Sequence, residues 1–194
     1  MSEKNELYPI FLKLDQLKLL LVGAGNVGLE KLQSLLSNSP NADISIVAPE
    51  IREEIIKLCE HHINCKLIKR RFEEADLENK HFVILATDKK ELHKEIKRIA
   101  TERRIIVNTA DTPSLCDFYL ASIVRKGNLK IAISTNGKSP TAAKRIRETL
   151  ENTIPEEIDE LLINLHRVRN KLSGDFAQKV KELNELTRTL VEKI

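Results

Sequence analysis

Leu17-Lys-Leu-Leu-Leu-Val-Gly-Ala-Gly-Asn-Val-Gly28, running on into Leu29-Glu-Lys-Leu-Gln-Ser-Leu-Leu36, reads as a buried strand, a glycine turn and an amphipathic helix. The G-x-G-x-x-G spacing has a reason at each glycine. Gly23 permits the tight turn, Gly25 lets a pyrophosphate approach the backbone, and Gly28 allows close packing of helix on strand. The N-terminus of the helix supplies free N–H groups and a positive dipole end. Read alone, the turn has two meanings, a dinucleotide site or a bend that binds nothing. Its setting, after an apolar run and before a helical pattern, is the one the motif requires.

Outward from the turn, Val27, Leu32, Leu35 and Leu36 fall on the sheet-facing side of the helix, and Asn38-Ser-Pro-Asn-Ala ends it. Ile44 to Ala48 is a second buried strand, completing a βαβ unit. Where an acidic residue would grip the adenosine ribose, the chain has Ala48-Pro49-Glu50. Glu50 is the nearest carboxylate, and it could equally open the next helix as a first-turn anion. Arg52 nearby leaves the choice between NAD and NADP open. A helix over 51–62, a strand over Cys65–Arg70, a continuous apolar strand from His81 to Ala86, a helix over Leu92–Arg103 and a strand over Ile105–Asn108 follow. Five strands alternating with helical segments predict a Rossmann-like α/β domain with a parallel sheet, and Thr87-Asp88 falls at its carboxyl edge.

From about residue 113 the rhythm changes. Phe118–Val124 and Leu129–Thr135 read as strands joined through Arg125-Lys-Gly-Asn128, and glycine first in the Gly-Asn pair suits a type II′ turn. Ser139 is expected to cap a helix that starts at Pro140 and runs to about Glu151. Residues 155–194 read as two helices broken near Ser173-Gly174, the first carrying a stripe of Leu161, Leu162, Leu165, Val168 and Leu172. Such a stripe is ordinarily core or subunit interface. The expected organisation is a Rossmann-like domain over 1–112, a small α+β hairpin and helix over 113–152, and a helical C-terminal region over 153–194.

Composition removes several classes. The chain of 194 residues has 41% hydrophobic and 4% aromatic residues and no Trp, which leaves little with which to stack bases. A formal charge of +3 is too small for a nucleic-acid-binding protein. Cys59, Cys65 and Cys116 suggest no disulfide framework and suit a reducing compartment. The polar N-terminus is no secretory signal, and no apolar run is long enough to span a bilayer, so a soluble cytoplasmic protein is expected. Cys59, His61, His62 and Cys65 do not follow a usual zinc spacing, so no metal site is expected there.

Two stretches beyond the glycine turn carry polar chemistry. Asn108-Thr-Ala-Asp-Thr-Pro113 follows the fifth strand, and Asp111 there either accepts a proton, if partial burial raises its pKa, or makes an Asx-turn before Pro113. Ser134-Thr-Asn-Gly-Lys-Ser-Pro140 sets a glycine and hydroxyls before a helix, suited to an anionic group, without the spacing of a P-loop. Lys126, Lys130, Lys138, Lys144, Arg145 and Arg147 either form a solvated face or line a site for a polycarboxylate.

The runs Tyr8-Pro-Ile-Phe-Leu, Leu21–Gly28, Ala86-Thr-Asp88, Asn108–Asp111, Cys116-Asp-Phe118, Ser122-Ile-Val124 and Ile131–Pro140 together resemble the siroheme-synthase N-terminal module. That family includes the NAD-dependent precorrin-2 dehydrogenases, some of which are also sirohydrochlorin ferrochelatases. The resemblance extends over residues 8–152. It implies a homodimer acting on a tetrapyrrole, with NAD as cofactor and without nucleic-acid or membrane partners. It also implies that Asp111 is the catalytic residue. Gly23, Gly25, Asn26, Val27, Gly28, Pro49, Glu50, Thr87 and Asp88 would hold the cofactor. Asn108, Ser134, Thr135, Lys138 and Ser139 would lie with the substrate. The chain ends at Ile194, so the methyltransferase activity of fused members is expected to be absent. Two other readings use the same glycine turn: a dehydrogenase of another small acid, and an NAD-sensing module without catalysis. The sensor has no use for Asp111 together with Ser134–Pro140.

Overall fold

Alternate side chains of one strand serve two cores. In the computed structural model, which describes residues 4–172 and 176–191, Leu19 and Leu21 pack on one face of the sheet and Leu20 and Val22 on the other. That is why the first strand is a continuous apolar run rather than an alternating one. The sheet comprises β1 (Lys18–Val22), β2 (Asp43–Val47), β3 (Cys65–Ile68), β4 (Phe82–Leu85) and β5 (Ile106–Thr109). Its order is β3-β2-β1-β4-β5, and every neighbouring pair is parallel. Helices α1 (Asn26–Asn38) and α2 (Glu53–Glu60) cover the first face through Leu32, Leu35, Leu36 and Ile55. Helix α3 (Lys90–Glu102) and a 3-10 turn at Glu74–Leu77 cover the second through Ile96, Ile99 and Leu77. The chain turns from β3 to β4 across β1, so the sheet's topological switch point lies between β1 and β4.

Polar groups secure the margins. Buried Asp76 accepts two guanidinium bonds from Arg70, at 2.8 and 2.6 Å, and the Glu73 N–H at 2.9 Å. Burial alone would raise its pKa, but Arg70 and that N–H hold the carboxyl below the ordinary range. Asp117 covers the outer edge of β5: its Oδ2 accepts the Val107 N–H at 2.9 Å, and its N–H reaches the Val107 carbonyl at 2.7 Å.

The cysteine expectation is corrected here. Cys59 and Cys65 form a disulfide, while Cys116 is free. Helix α2 ends at Glu60, and a tight turn starts β3 at Cys65, which brings the two Cα atoms to 5.3 Å, within the range a disulfide needs. Among the described residues no group of His, Cys, Asp or Glu is placed to hold a metal ion. Helix α2 is also shorter than 51–62, because Arg52 is in extended conformation as its N-cap.

The chain divides into two compact units, Met1–Leu120 and Ala121–Ile194. The second contains β6 (Ser122–Lys126), β7 (Leu129–Ile133), α4 (Pro140–Thr153), α5 (Ile158–Lys171) and α6 (Phe176–Val191). Strands β6 and β7 are antiparallel, with Lys126 opposite Leu129, leaving Gly127-Asn128 as a two-residue turn. Gly127 has φ +54° and Asn128 does not share the positive region, as a type II′ turn requires. The first hairpin strand begins at Ser122 rather than Phe118. Asp159 fastens the turn by accepting the Asn128 backbone and side-chain N–H groups, each at 2.7 Å. The Leu161-to-Leu172 stripe is half-buried, and the expected break at Ser173-Gly174 lies outside the described residues. No described helix is long and apolar enough to cross a membrane.

Candidate functional site

The glycine turn sits at the carboxyl end of β1, at the switch point, tied to β2 by the Gly23 N–H to the Val47 carbonyl at 2.9 Å. Its three glycines meet different constraints. Gly23 has φ +106°, and a Cβ there would lie 2.4 Å from the Ala86 carbonyl oxygen. A Cβ on Gly28 would lie 2.4 Å from the Gly23 oxygen, so helix and turn are in backbone contact. A Cβ on Gly25 would meet nothing within 4 Å. The turn is therefore closed beneath and open above, at the residue that caps α1 without any side-chain hydrogen bond to the helix N–H groups. No acidic side chain occupies the first turn of α1. This is the shape and polarity a pyrophosphate needs, and the residues fit a dinucleotide.

The neighbouring strand ends converge on the turn. After β2, Pro49 and Glu50 are exposed. The Arg52 N–H bonds the Ala24 carbonyl at 3.3 Å, and its guanidinium bonds Asn26 Oδ1 and Glu54. Asn26 is thus held by Arg52 beside the opening, while Val27 is half-buried. The Arg52 bond holds the Glu54 carboxyl below the ordinary range. After β4, Thr87 lies with its methyl against Gly23 and its hydroxyl 2.8 Å from His93 Nε2, and Asp88 is exposed.

After β5 the chain forms a folded loop. Asn108 is buried, and its amide nitrogen bonds the Phe118 carbonyl at 2.8 Å, so it holds the loop rather than projecting from it. The Cys116 sulfur accepts the Thr109 N–H at 3.2 Å. Asp111 stands at the crest with φ +57° and is exposed, without the partial burial expected from the sequence. Among the described residues its carboxylate makes no hydrogen bond or ion pair. An aspartate in the left-handed region is strained, and such residues concentrate where a side chain must be presented.

Within the second unit, Ser139 caps α4 by accepting the Ala142 N–H at 3.1 Å. Thr135 Oγ1 accepts the Ser139 N–H at 3.3 Å and donates to the Ser139 carbonyl at 3.1 Å. Asn136 and Gly137 turn the chain through φ +53° and +72°, leaving Ser134 and Lys138 exposed. Lys144, Arg145 and Arg147 pair with Glu148 and Glu151 on their own helix, and Lys126 pairs with Glu156. Lys144 and Arg145 are well exposed, whereas Lys126 and Arg147 are largely covered, so only the first two pairs are of the weak, solvent-screened kind.

Neither His93 nor Asp117 is marked in the sequence by a chemical motif of its own. Asp117 follows Cys116 in a loop without periodicity. His93 precedes Ile96 by three residues and so shares the apolar face of α3, where a polar residue is a signal.

The chain is similar to known proteins along nearly its whole length. Residues 10–122 match a family model described as "Putative NAD(P)-binding", and residues 126–153 one described as sirohaem biosynthesis protein central. A siroheme synthase of Pseudoalteromonas translucida (strain TAC 125) is 37% identical over 174 residues, 90% of this chain and 34% of the relative. One from Psychrobacter arcticus (strain DSM 17307 / VKM B-2377 / 273-4) is 38% identical over 90% of this chain and 30% of its own length. The chain thus spans about a third of the length of these curated relatives. Among solved structures, SirC, a precorrin-2 dehydrogenase, superposes with a TM-score of 0.72 at 26% identity, covering 93% of this chain and 89% of that one.

Proposed function

The chain belongs to the siroheme-synthase N-terminal family, with its NAD(P)-binding and sirohaem-central regions, and from that premise we propose that it oxidises precorrin-2 to sirohydrochlorin with NAD. The observation that carries the reading is Asp111, exposed and unpaired at the same sheet edge as the open glycine turn. A bound nicotinamide supplies the hydride acceptor. The N–H groups at the start of α1 receive the pyrophosphate above Gly25. Glu50 meets the adenosine ribose hydroxyls, and its carboxylate would repel a 2′-phosphate, which favours NAD over NADP. Asp111 takes the proton that leaves the macrocycle as the hydride departs, so positive charge does not accumulate. Ser134 and Lys138 meet substrate carboxylates.

The reading includes a homodimer. In the second unit Val124 and Ala143 are the buried apolar side chains among the described residues, and Ile146 and Ile163 are exposed on its helices. A two-stranded sheet with so thin a core is stabilised by a partner. Iron insertion into sirohydrochlorin belongs to the same proposal: the macrocycle's four nitrogens bind the metal, and Asp111 takes the protons they shed.

The test is an anaerobic assay with precorrin-2 and NAD, read as NADH formation. NAD binding without NADH formation would replace this reading with the sensor. A parallel cobalt-insertion assay decides the second activity, and sedimentation decides the dimer.

A further inference from the structure

His93 is 2% exposed on the sheet-facing side of α3, and its ring makes a single hydrogen bond, from Nε2 to Thr87 Oγ1 at 2.8 Å. Its Nδ1 is buried and has no partner. Thr87 is constrained on three sides. Its methyl carbon lies against Gly23, close enough to collide with any Cβ placed there. Its Oγ1 accepts the Lys89 N–H at 3.2 Å and faces His93.

The direction of the Thr87–His93 bond follows from these partners. If the threonine hydroxyl donated to Nε2, the ring proton would sit on Nδ1, where a buried N–H would go unbonded. An orphaned buried donor costs about 1–3 kcal/mol. If Nε2–H donates instead, the group left over is an Nδ1 lone pair, and folded proteins leave a buried acceptor unfilled more often than a buried N–H unpaired. The doubly protonated ring is disfavoured because burial pushes the His93 pKa down, with the Asp88 charge a lesser effect in the other direction. Oγ1 then accepts two bonds, and its own hydrogen is left to point away from both donors.

We propose that His93 is a positioning residue for the nucleotide crevice: it donates Nε2–H to Thr87 and so commits the threonine's hydroxyl hydrogen to an acceptor oxygen on the nicotinamide half of the dinucleotide. The half is set by the sheet order. Glu50 follows β2 on one side of β1, and Thr87 follows β4 on the other, so Thr87 stands on the side away from the adenosine ribose. The inference rests on the proposed NAD site.

The test is a double-mutant cycle on NAD binding by the full chain, with AMP titrated in parallel. Thr87→Val keeps the methyl against Gly23 and is expected to raise the Kd for NAD about tenfold, leaving that for AMP unchanged. His93→Leu is expected to raise it several-fold in the Thr87 background and not at all in Thr87→Val. His93→Gln, which carries an N–H at similar reach, is expected to return affinity to within about twofold of wild type. A long-range proton–nitrogen spectrum of the wild type should show the Nε2–H tautomer. Equal losses from His93→Leu in both backgrounds would mark a merely structural histidine and overturn the inference, as would an Nδ1–H tautomer or failure of glutamine to rescue. Wild-type protein that bound no NAD would overturn the proposed function and this inference with it. Retained binding without coupling would overturn the inference alone.

Discussion

Replacing Gly25 by alanine separates a turn that holds a dinucleotide from a turn that only bends. A Cβ at Gly25 meets no atom within 4 Å, and its φ of −86° is negative, as L side chains prefer, with ψ −156° at the margin of the extended region. Two opposed effects act on stability, each about 0.5–1 kcal/mol: alanine is a poorer N-cap than glycine, and it restricts the unfolded chain. The net change should stay within about 1 kcal/mol. Binding should suffer far more. The methyl stands where a pyrophosphate approaches the N–H groups of α1, and a charge-assisted hydrogen bond is worth about 1.5–3 kcal/mol. Holding two of them back raises the Kd for NAD by at least about 100-fold. Gly23→Ala is the control with the opposite signature. Its φ of +106° and the 2.4 Å approach to the Ala86 oxygen cost the fold itself, about 3 kcal/mol or more, taking the left-handed penalty and the overlap together. Denaturant unfolding and NAD calorimetry on both variants and the wild type provide the comparison. Undiminished NAD affinity in Gly25→Ala would refute the pyrophosphate assignment. A stability loss like that of Gly23→Ala would refute the open geometry.

Asp111→Asn should lower turnover by about 10²–10⁴-fold in the NADH assay while NAD affinity holds; an active variant would remove Asp111 from the chemistry. Asp111→Gly, relieved of φ +57°, should be inactive yet about 1 kcal/mol more stable in denaturant. Asp76→Asn should lower stability at neutral pH by about 1–2 kcal/mol, discounted because Arg70 is partly exposed. The Asp76 pKa is lowered in the fold, so its contribution is present above the ordinary aspartate value of about 3.9 and is lost as pH falls through the lower folded value. Unfolding curves of wild type and variant should therefore converge in acid; a difference that persisted there would contradict the Arg70 pairing. Thiol titration of the native protein should find Cys116 free and Cys59 and Cys65 unreactive, with reduction costing about 2 kcal/mol of stability. Three reactive thiols would show the pair to be reduced.

Elements whose signal is local were legible in the chain. The glycine turn, the strand at 82–85, the Gly127-Asn128 hairpin turn and the Ser139 cap each depend on residues within a few positions of one another. Periodicity and turn chemistry report such short-range preferences directly. Boundaries were less legible. The helix expected over 51–62 begins only at Glu53, because extended Arg52 bonds Ala24 and Asn26, contacts that residues 51–62 do not display. The Cys59–Cys65 disulfide was missed for a related reason, since odd cysteine counts and spacing say nothing about how tightly a helix turns into a strand.

By itself, then, the sequence determined an alternating α/β chain with a dinucleotide turn near its start and a hairpin-and-helix region after residue 113. It determined these because side-chain period and glycine placement act along the backbone. The tertiary structure alone decided that β4 lies beside β1, which sets Thr87 against Gly23 and brings His93 to its hydroxyl. It alone showed that Asn108 is turned inward to hold a loop while Asp111 is lifted out in a strained conformation. These facts depend on which strands are neighbours and which polar groups find partners once the core closes, and no pattern along the chain encodes a hydrogen bond between residues that meet only by packing.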